Sequence, residues 1–214
     1  MDKFRAVVFG IFLSLFGLSF VNAPFLKHQY LQHCITVLSL IVYLYYDNKK
    51  RFSRKSFLLF MSFMALHVLA ARYVYSYVPY DDWSQTLFGF RINDAFHFTR
   101  NHFDRFVHFC YGLLIFYPSA EVFRKFSGLS RKMSLLVAVL FILGSSALYE
   151  IAEWMVAITL DPSDAEAYNG QQGDMFDAPK DMAMATLGMI VSLAIILING
   201  KYLHSVERNP VGKI

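Results

Sequence analysis

Apolar positions in this chain come in long blocks separated by short charged or aromatic stretches. That pattern predicts membrane-spanning helices rather than the amphipathic stripes of a soluble fold. Six blocks stand out: residues 4–22, 31–46, 56–78, 103–123, 132–157 and 181–198. About 20 apolar residues cross a bilayer core, so most blocks are long enough. The second is short, and the fifth is longer than needed, which predicts tilt or projection. The first block also has the outline of a secretory signal, with Lys3 and Arg5 before it and Val21-Asn22-Ala23 after it. Pro24 directly after that position disfavours cleavage, so the block is expected to remain as a helix. The expectation is an all-α, polytopic membrane bundle of about six transmembrane helices, forming one integral membrane domain over residues 1–214.

Composition agrees. Hydrophobic residues make up 56% of the 214, too many for an ordinary soluble domain. Cys34 and Cys110 both lie in apolar blocks, which excludes a disulfide framework or a cysteine zinc cluster and leaves free thiols. The formal charge of +4 matters less than where it sits. Lys49, Lys50, Arg51, Arg54 and Lys55 fall between blocks two and three, and Arg124, Lys125, Arg131 and Lys132 between four and five. Lys201, Arg208 and Lys213 lie in the tail. With Lys3 and Arg5 these share one side of a six-span arrangement. The other side holds Lys27, a mixed loop and an acidic loop. The positive-inside rule then puts both termini in the cytoplasm. The basic loops are topology determinants, and no nucleic-acid partner is expected.

With that orientation, depth follows at about 1.5 Å per helical residue. Asp104 lies at the outer boundary and His108 about 6 Å deeper. From the outer end of the fifth block, Glu153 is about 6 Å in and Glu150 about 10 Å in. Asp174 and Asp177 sit just outside the sixth block and Asp181 just inside. His67 falls near the midplane and Arg72 in the outer half. Asp177, Asp181, Ala185, Gly188 and Ser192 step by three or four and form one stripe. Gly112 continues the Asp104–His108 stripe, and Gly144 to Ala147 predicts a narrow section before Glu150. Small residues let helices approach closely in lipid, so spans four, five and six are expected to pack tightly. Arg105, one position beyond Asp104, is expected to point away.

Asp104, His108, Glu150, Asp181, Asp177, Asp174 and His67 are candidate metal ligands, with Glu150 and Glu153 as candidate catalytic carboxylates. Carboxylates with one or two histidines suit Zn, Mn or Mg, so a divalent metal is the expected cofactor. Without a cation, close carboxylates repel. The competing explanation is an ion-paired network with Arg100, Arg105, Arg72 and Lys180. Asp-Ala-Pro-Lys-Asp from Asp177 also reads as a helix start, with Asp177 as cap. Arg72, Arg100 and His102 are candidate substrate-binding groups, although Arg72 can also neutralise the carboxylates or snorkel outward. Trp83, Trp154 and the tyrosines Tyr73 to Tyr80 fit an interfacial aromatic belt. Phosphate loops, dinucleotide fingerprints, zincin motifs and serine-nucleophile motifs are absent.

Three stretches carry a family resemblance: Asn101-His102-Phe103-Asp104-Arg105-Phe106-Val107-His108-Phe109, Tyr149-Glu150-Ile151-Ala152-Glu153-Trp154, and Gly170-Gln171-Gln172-Gly173-Asp174-Met175-Phe176-Asp177 with Asp181. Together they resemble the YjdF-type bacterial inner-membrane proteins over nearly the whole chain. His67 and the run from Tyr73 to Pro79 are similar to that family's third span. The first stretch more loosely resembles VanZ-like proteins, which also open a helix with Asp, a basic residue and His-Phe. Those often have Glu then Gln where this chain has Glu150 and Glu153. The resemblance implies an inner-membrane location and the same site residues, and supplies no reaction. Three functions compete. One is a metal-dependent enzyme hydrolysing or transferring a group on a lipid or cell-envelope substrate. The others are a small transporter or proton/cation-coupled permease, and a structural or regulatory membrane partner.

Overall fold

The computed structural model describes residues 2–161, 165, 168 and 170–199. The basic tail residues Lys201, Arg208 and Lys213, and part of the acidic loop after Asp161, lie outside the described residues. Those described form helices and turns, without a strand. The helices are α1 (Lys3–Leu18), α2 (Leu26–Lys50), α3 (Arg54–Arg72), α4 (Tyr80–Phe88), α5 (Ile92–Phe96), α6 (Phe103–Ser127), α7 (Arg131–Ala157) and α8 (Asp177–Asn199). Four of them, α3, α6, α7 and α8, are long and apolar enough to cross a membrane. At 16 residues α1 is about 24 Å long. The 25-residue α2 is long enough but carries more polar residues.

Local chemistry sets several of these ends. Asp2, Ser53 and Ser130 cap α1, α3 and α7, each side chain accepting the N–H three residues on. Arg51, Gly89 and Gly128 close α2, α4 and α6 in the left-handed conformation. The third apolar block was expected to run to Val78, but α3 stops at Arg72. Val74 and Tyr75 take positive φ of 47° and 57°, and the Tyr75 N–H returns to the Ala70 carbonyl. A left-handed valine is an unfavourable conformation, held because the turn buries Val74, Tyr75 and Val78.

The long helices alternate in direction. Helix α3 packs on α1, α2 and α6, and α6 in turn packs on α7 and α8. Phe57, Met61, Phe116, Ala138, Ile142 and Met189 form the core between them. Outward-facing surfaces are also apolar, including Val7, Ile11, Ile41, Leu136, Leu148 and Ile190. So much exposed apolar surface belongs against lipid.

Helices α6 and α8 make the closest pair. A methyl group at Gly112 would overlap the Ala185 carbonyl oxygen, and one at Gly188 would overlap the Phe109 carbonyl oxygen. The stripe Asp177, Asp181, Ala185, Gly188 and Ser192 is buried throughout. Gly144, expected to narrow α7, faces open space. On α7 it is Ser145 and Ser146 that turn inward, Ser145 meeting the Tyr111 hydroxyl.

The two ends of the bundle differ in charge. At the end holding the start of α1, buried Arg5 pairs with buried Asp47 at 3.0 Å and donates to the Phe52 carbonyl. Glu121 accepts from the Ser53 N–H and hydroxyl, the Ser56 hydroxyl and Lys125. Lys49, Lys50, Arg51, Arg54, Arg131 and Lys132 gather at this same end. Asp104, His108, Glu150, Glu153 and Asp181 lie at the opposite end.

A candidate acid–histidine centre

The centre forms where α6, α7 and α8 converge. The first turn of α6 supplies Asp104, and His108 is one turn deeper on the same face. Both are buried. His108 Nε2 lies 3.6 Å from Asp104 Oδ1 and 3.5 Å from Glu150 Oε1 of α7. Asp181 enters from α8, and one ligand atom each from Asp104, His108 and Asp181 falls within 4.8 Å of the others. Glu153, one turn along α7 from Glu150, has Asp104, Glu150 and Asp181 as electrostatic neighbours. Asp181 Oδ1 and Glu150 Oε1 are buried without a hydrogen-bond partner. A buried carboxylate oxygen left unpaired is costly, and such groups are normally satisfied by a donor or a cation.

Among the described residues, the nearby cations hydrogen-bond to Asp174 and Asp177, and Arg105 alone reaches the centre, with its Nε at the limit of an ion pair to Asp181. Arg100 lies 2.6 Å from Asp177, and Arg105 lies 2.5 Å from Asp174 and 3.2 Å from Asp177. Lys180 is 2.6 Å from Asp174. The sequence-based expectation that Arg105 points away is therefore wrong. Arg105 stands four before Phe109 and seven before Gly112, so it heads the stripe that receives α8. Its Nε stops 4.0 Å from Asp181 Oδ1. Asp174 and Asp177, expected as ligands, are ion-paired above the centre. Lys180 first, then the Phe176 N–H and Arg105, hold the Asp174 carboxyl well below the usual range. Asp177 lies in the first turn of α8 rather than capping it. Asp174 makes the local turn instead, accepting the Phe176 N–H.

The Gly170–Asp174 segment folds over the mouth of the centre. Gln172 Oε1 accepts from the Asn101 N–H and Gln172 Nε2 donates to the Asn101 carbonyl, a reciprocal pair. The Gly170 carbonyl accepts from Arg100 and Ser76. Gly170 has a φ of 62°, and a side chain there would strike the Ser76 hydroxyl, so the position needs glycine. His102, at the start of α6, lies tilted against the Phe98 ring and touches Arg105. Burial, then Arg105 and Arg100, hold its imidazole below the ordinary value.

The remaining candidates sit apart from the carboxylates. Arg72 donates to the carbonyls of Ser19, Val21 and Asn22, tying α3 to the α1–α2 turn. His67 is buried with Nδ1 against the Tyr75 hydroxyl and Nε2 without a partner. It belongs to a polar group that the block pattern missed: Gln29, Gln32, His33 and Thr36 of α2, all buried. Gln29 and Thr36 contact the His33 ring, and the Tyr149 hydroxyl reaches Gln32 of α2. The 29–32/33–36 spacing was the available signal, since three- and four-residue steps place these side chains on one helix face. Tyr75 and Tyr149 stand between this group and the acid–histidine centre.

Fold and site together define an all-helical membrane protein with a buried acid–histidine cluster at one end of its bundle. Comparison with known proteins agrees. Residues 4–201 match the family described as a predicted membrane protein, DUF2238, and the chain belongs to that family. It is also 27% identical over 165 residues to the inner membrane protein YjdF of Escherichia coli (strain K12), covering 76% of this chain and 75% of that protein. No solved structure matches.

Proposed function

We propose that the chain is a single integral domain of six spans in the bacterial inner membrane, with both termini cytoplasmic. Its outer end would carry a divalent-metal centre that hydrolyses or transfers a group on a lipid or envelope substrate. For α2 as a span, the polar residues are the buried ones, while Leu31, Ile35, Leu38, Ile41 and Val42 face outward. Alternating helix directions and the basic end formed by α1, α2, α3, α6 and α7 support the orientation.

The observation that carries the metal reading is the set of distances around His108. Ligands 2.0–2.1 Å from a tetrahedral zinc stand about 3.4 Å apart. His108 Nε2 is 3.6 Å from Asp104 and 3.5 Å from Glu150, and the unpaired oxygens of Glu150 and Asp181 are buried beside it. Asp104, His108 and Asp181 would form the ligand core, with Glu150 beside His108 as a further candidate ligand and Asp174, Asp177 and His67 outside it. A bound cation would polarise a phosphoryl or carbonyl oxygen or activate water. Glu153, whose electrostatic neighbours include Asp104, Glu150 and Asp181, would take the proton or serve as a further ligand. Arg100 and His102 stand at the mouth, where an anionic group would enter.

The test is elemental analysis of detergent-purified protein, with Asp181→Asn and His108→Ala as comparisons. About one equivalent of divalent metal in the wild type, lost in both variants, supports the reading. Absence of metal, with thermal stability unmoved by added Zn²⁺, Mn²⁺ or Mg²⁺, sinks it.

A further inference from the structure

Below the acid–histidine centre, a cavity of about 460 Å³ runs into the bundle between α2, α3, α6 and α7. Its volume falls in the range of about 300–1,000 Å³ usual for ligand sites. His108, Tyr149 and Ala152 lie toward its upper end, and Phe60, Met64, Ile115 and Phe141 are among its apolar walls. Ser39, Ser146 and the His67 ring also line it. From Phe141 to Ala152 the α7 wall rises over eleven helical steps, about 16 Å, close to the ~15 Å half of a ~30 Å hydrocarbon core.

The cavity is open sideways. Ile35 of α2, and Phe141 and Leu148 of α7, line it and are also exposed on the outer surface of the bundle. Helix α2 packs on α3, whereas α7 packs on α6 and α8, so the gap between α2 and α7 is bridged near its top by Tyr149 and Gln32. At this depth the surrounding medium is lipid hydrocarbon, and a gap of this kind admits a chain from the adjoining leaflet. The same chain position would bring an attached polar head to His108 and Glu150.

From this geometry we infer that the cavity is the binding site for one hydrocarbon chain of a membrane lipid, entering between α2 and α7 with its head group at the acid–histidine centre. The head-group end rests on the metal-centre reading; the chain end rests on the cavity alone. Acyl and prenyl chains share the chemistry that the walls recognise.

Photolabelling tests this. Wild-type protein is reconstituted into vesicles of phosphatidylethanolamine and phosphatidylglycerol. One arm carries a phosphatidylglycerol with a mid-chain diazirine, the other a diazirine-bearing polyprenyl phosphate. Labelling concentrated in the α2 segment Ile35–Ser39 and the α7 segment Phe141–Tyr149, in either arm, supports the pocket and identifies the chain. Ser39→Phe and Ser146→Leu fill the cavity without touching the ligand set, and each should lower that labelling at least fivefold while metal content stays constant. Uniform labelling of the outer surface, for example at Val7 and Leu136, unchanged by both substitutions, overturns the inference. If the wild type holds no metal yet labels the cavity, the metal reading fails and the chain site stands. If metal is bound and the cavity stays unlabelled in both arms, the chain site fails alone.

Discussion

Replacing Gly188 by alanine tests the contact that holds the centre together. The added methyl would overlap the Phe109 carbonyl oxygen and lie 2.9 Å from the Leu113 nitrogen. Its counterpart at Gly112 would overlap the Ala185 carbonyl oxygen and lie 2.6 Å from the Met189 nitrogen. All these obstacles are backbone, so no side chain can swing aside. Optimal contact needs about 3.5–4.0 Å, so α6 and α8 must separate locally by roughly 1.5–2 Å. A gap of that size forfeits about half or more of each facing dispersion contact. Overpacking a tight interface costs about 1–3 kcal/mol, and backbone on both sides puts this case near the top of that range. At about 2–4 °C per kcal/mol for a chain of this size, Gly188→Ala should lower the melting temperature by roughly 6–12 °C. Separation would also carry Asp181 away from Asp104 and His108, so, on the proposed metal-centre reading, any bound metal should fall with stability. The assay is thermal unfolding of purified protein in one detergent, followed by intrinsic fluorescence. Gly144→Ala is the control: its methyl meets open space, and alanine is favoured in a helix by about 1 kcal/mol. Equal melting temperatures for Gly188→Ala and Gly144→Ala would refute the argument.

Two other predictions follow from buried charge. Arg5→Met leaves Asp47 buried without its partner and should cost about 3–5 kcal/mol, most of it recovered in Arg5→Met with Asp47→Leu. Denaturant titration of both proteins checks this, and a neutral single variant would contradict it. His102 binds a proton less readily folded than unfolded, because burial and then Arg105 and Arg100 disfavour its charged form. The unfolded chain therefore gains a proton near pH 6.5 that the folded chain resists, and stability falls as pH drops from about 7 toward 5. His102→Gln should flatten that part of the stability–pH curve, and an unchanged slope would count against it.

Much of the centre was legible because membrane burial makes polar residues informative. Asp104, His108, Glu150 and Asp181 sit in apolar blocks at similar depth, and a charge in lipid must turn inward. The Asp177–Ser192 stripe was equally readable, since its spacing is helical and its residues are small. Partner choice was not readable. Arg105 lies within reach of Asp174 and Asp177 only because the Gly170–Asp174 segment folds back over the start of α6 through Gln172 and Arg100. Arg72 was equally ambiguous: a long cation near a helix end can serve an acid or a carbonyl, and here the α1–α2 turn presents carbonyls. Tyr75 met His67 through two left-handed residues, one a valine, which no propensity favours.

Block length and residue polarity, by themselves, determined an all-helical membrane protein with basic and acidic ends. Hydrocarbon imposes those features locally, one helix at a time. Tertiary structure alone decided which carboxylate oxygens remain without a hydrogen-bond donor, that α6 and α8 meet backbone to backbone, and that a cavity opens between α2 and α7. Those outcomes depend on distances between helices far apart in the chain, set by small residues and by a loop crossing above them, and one-dimensional spacing carries no such distance.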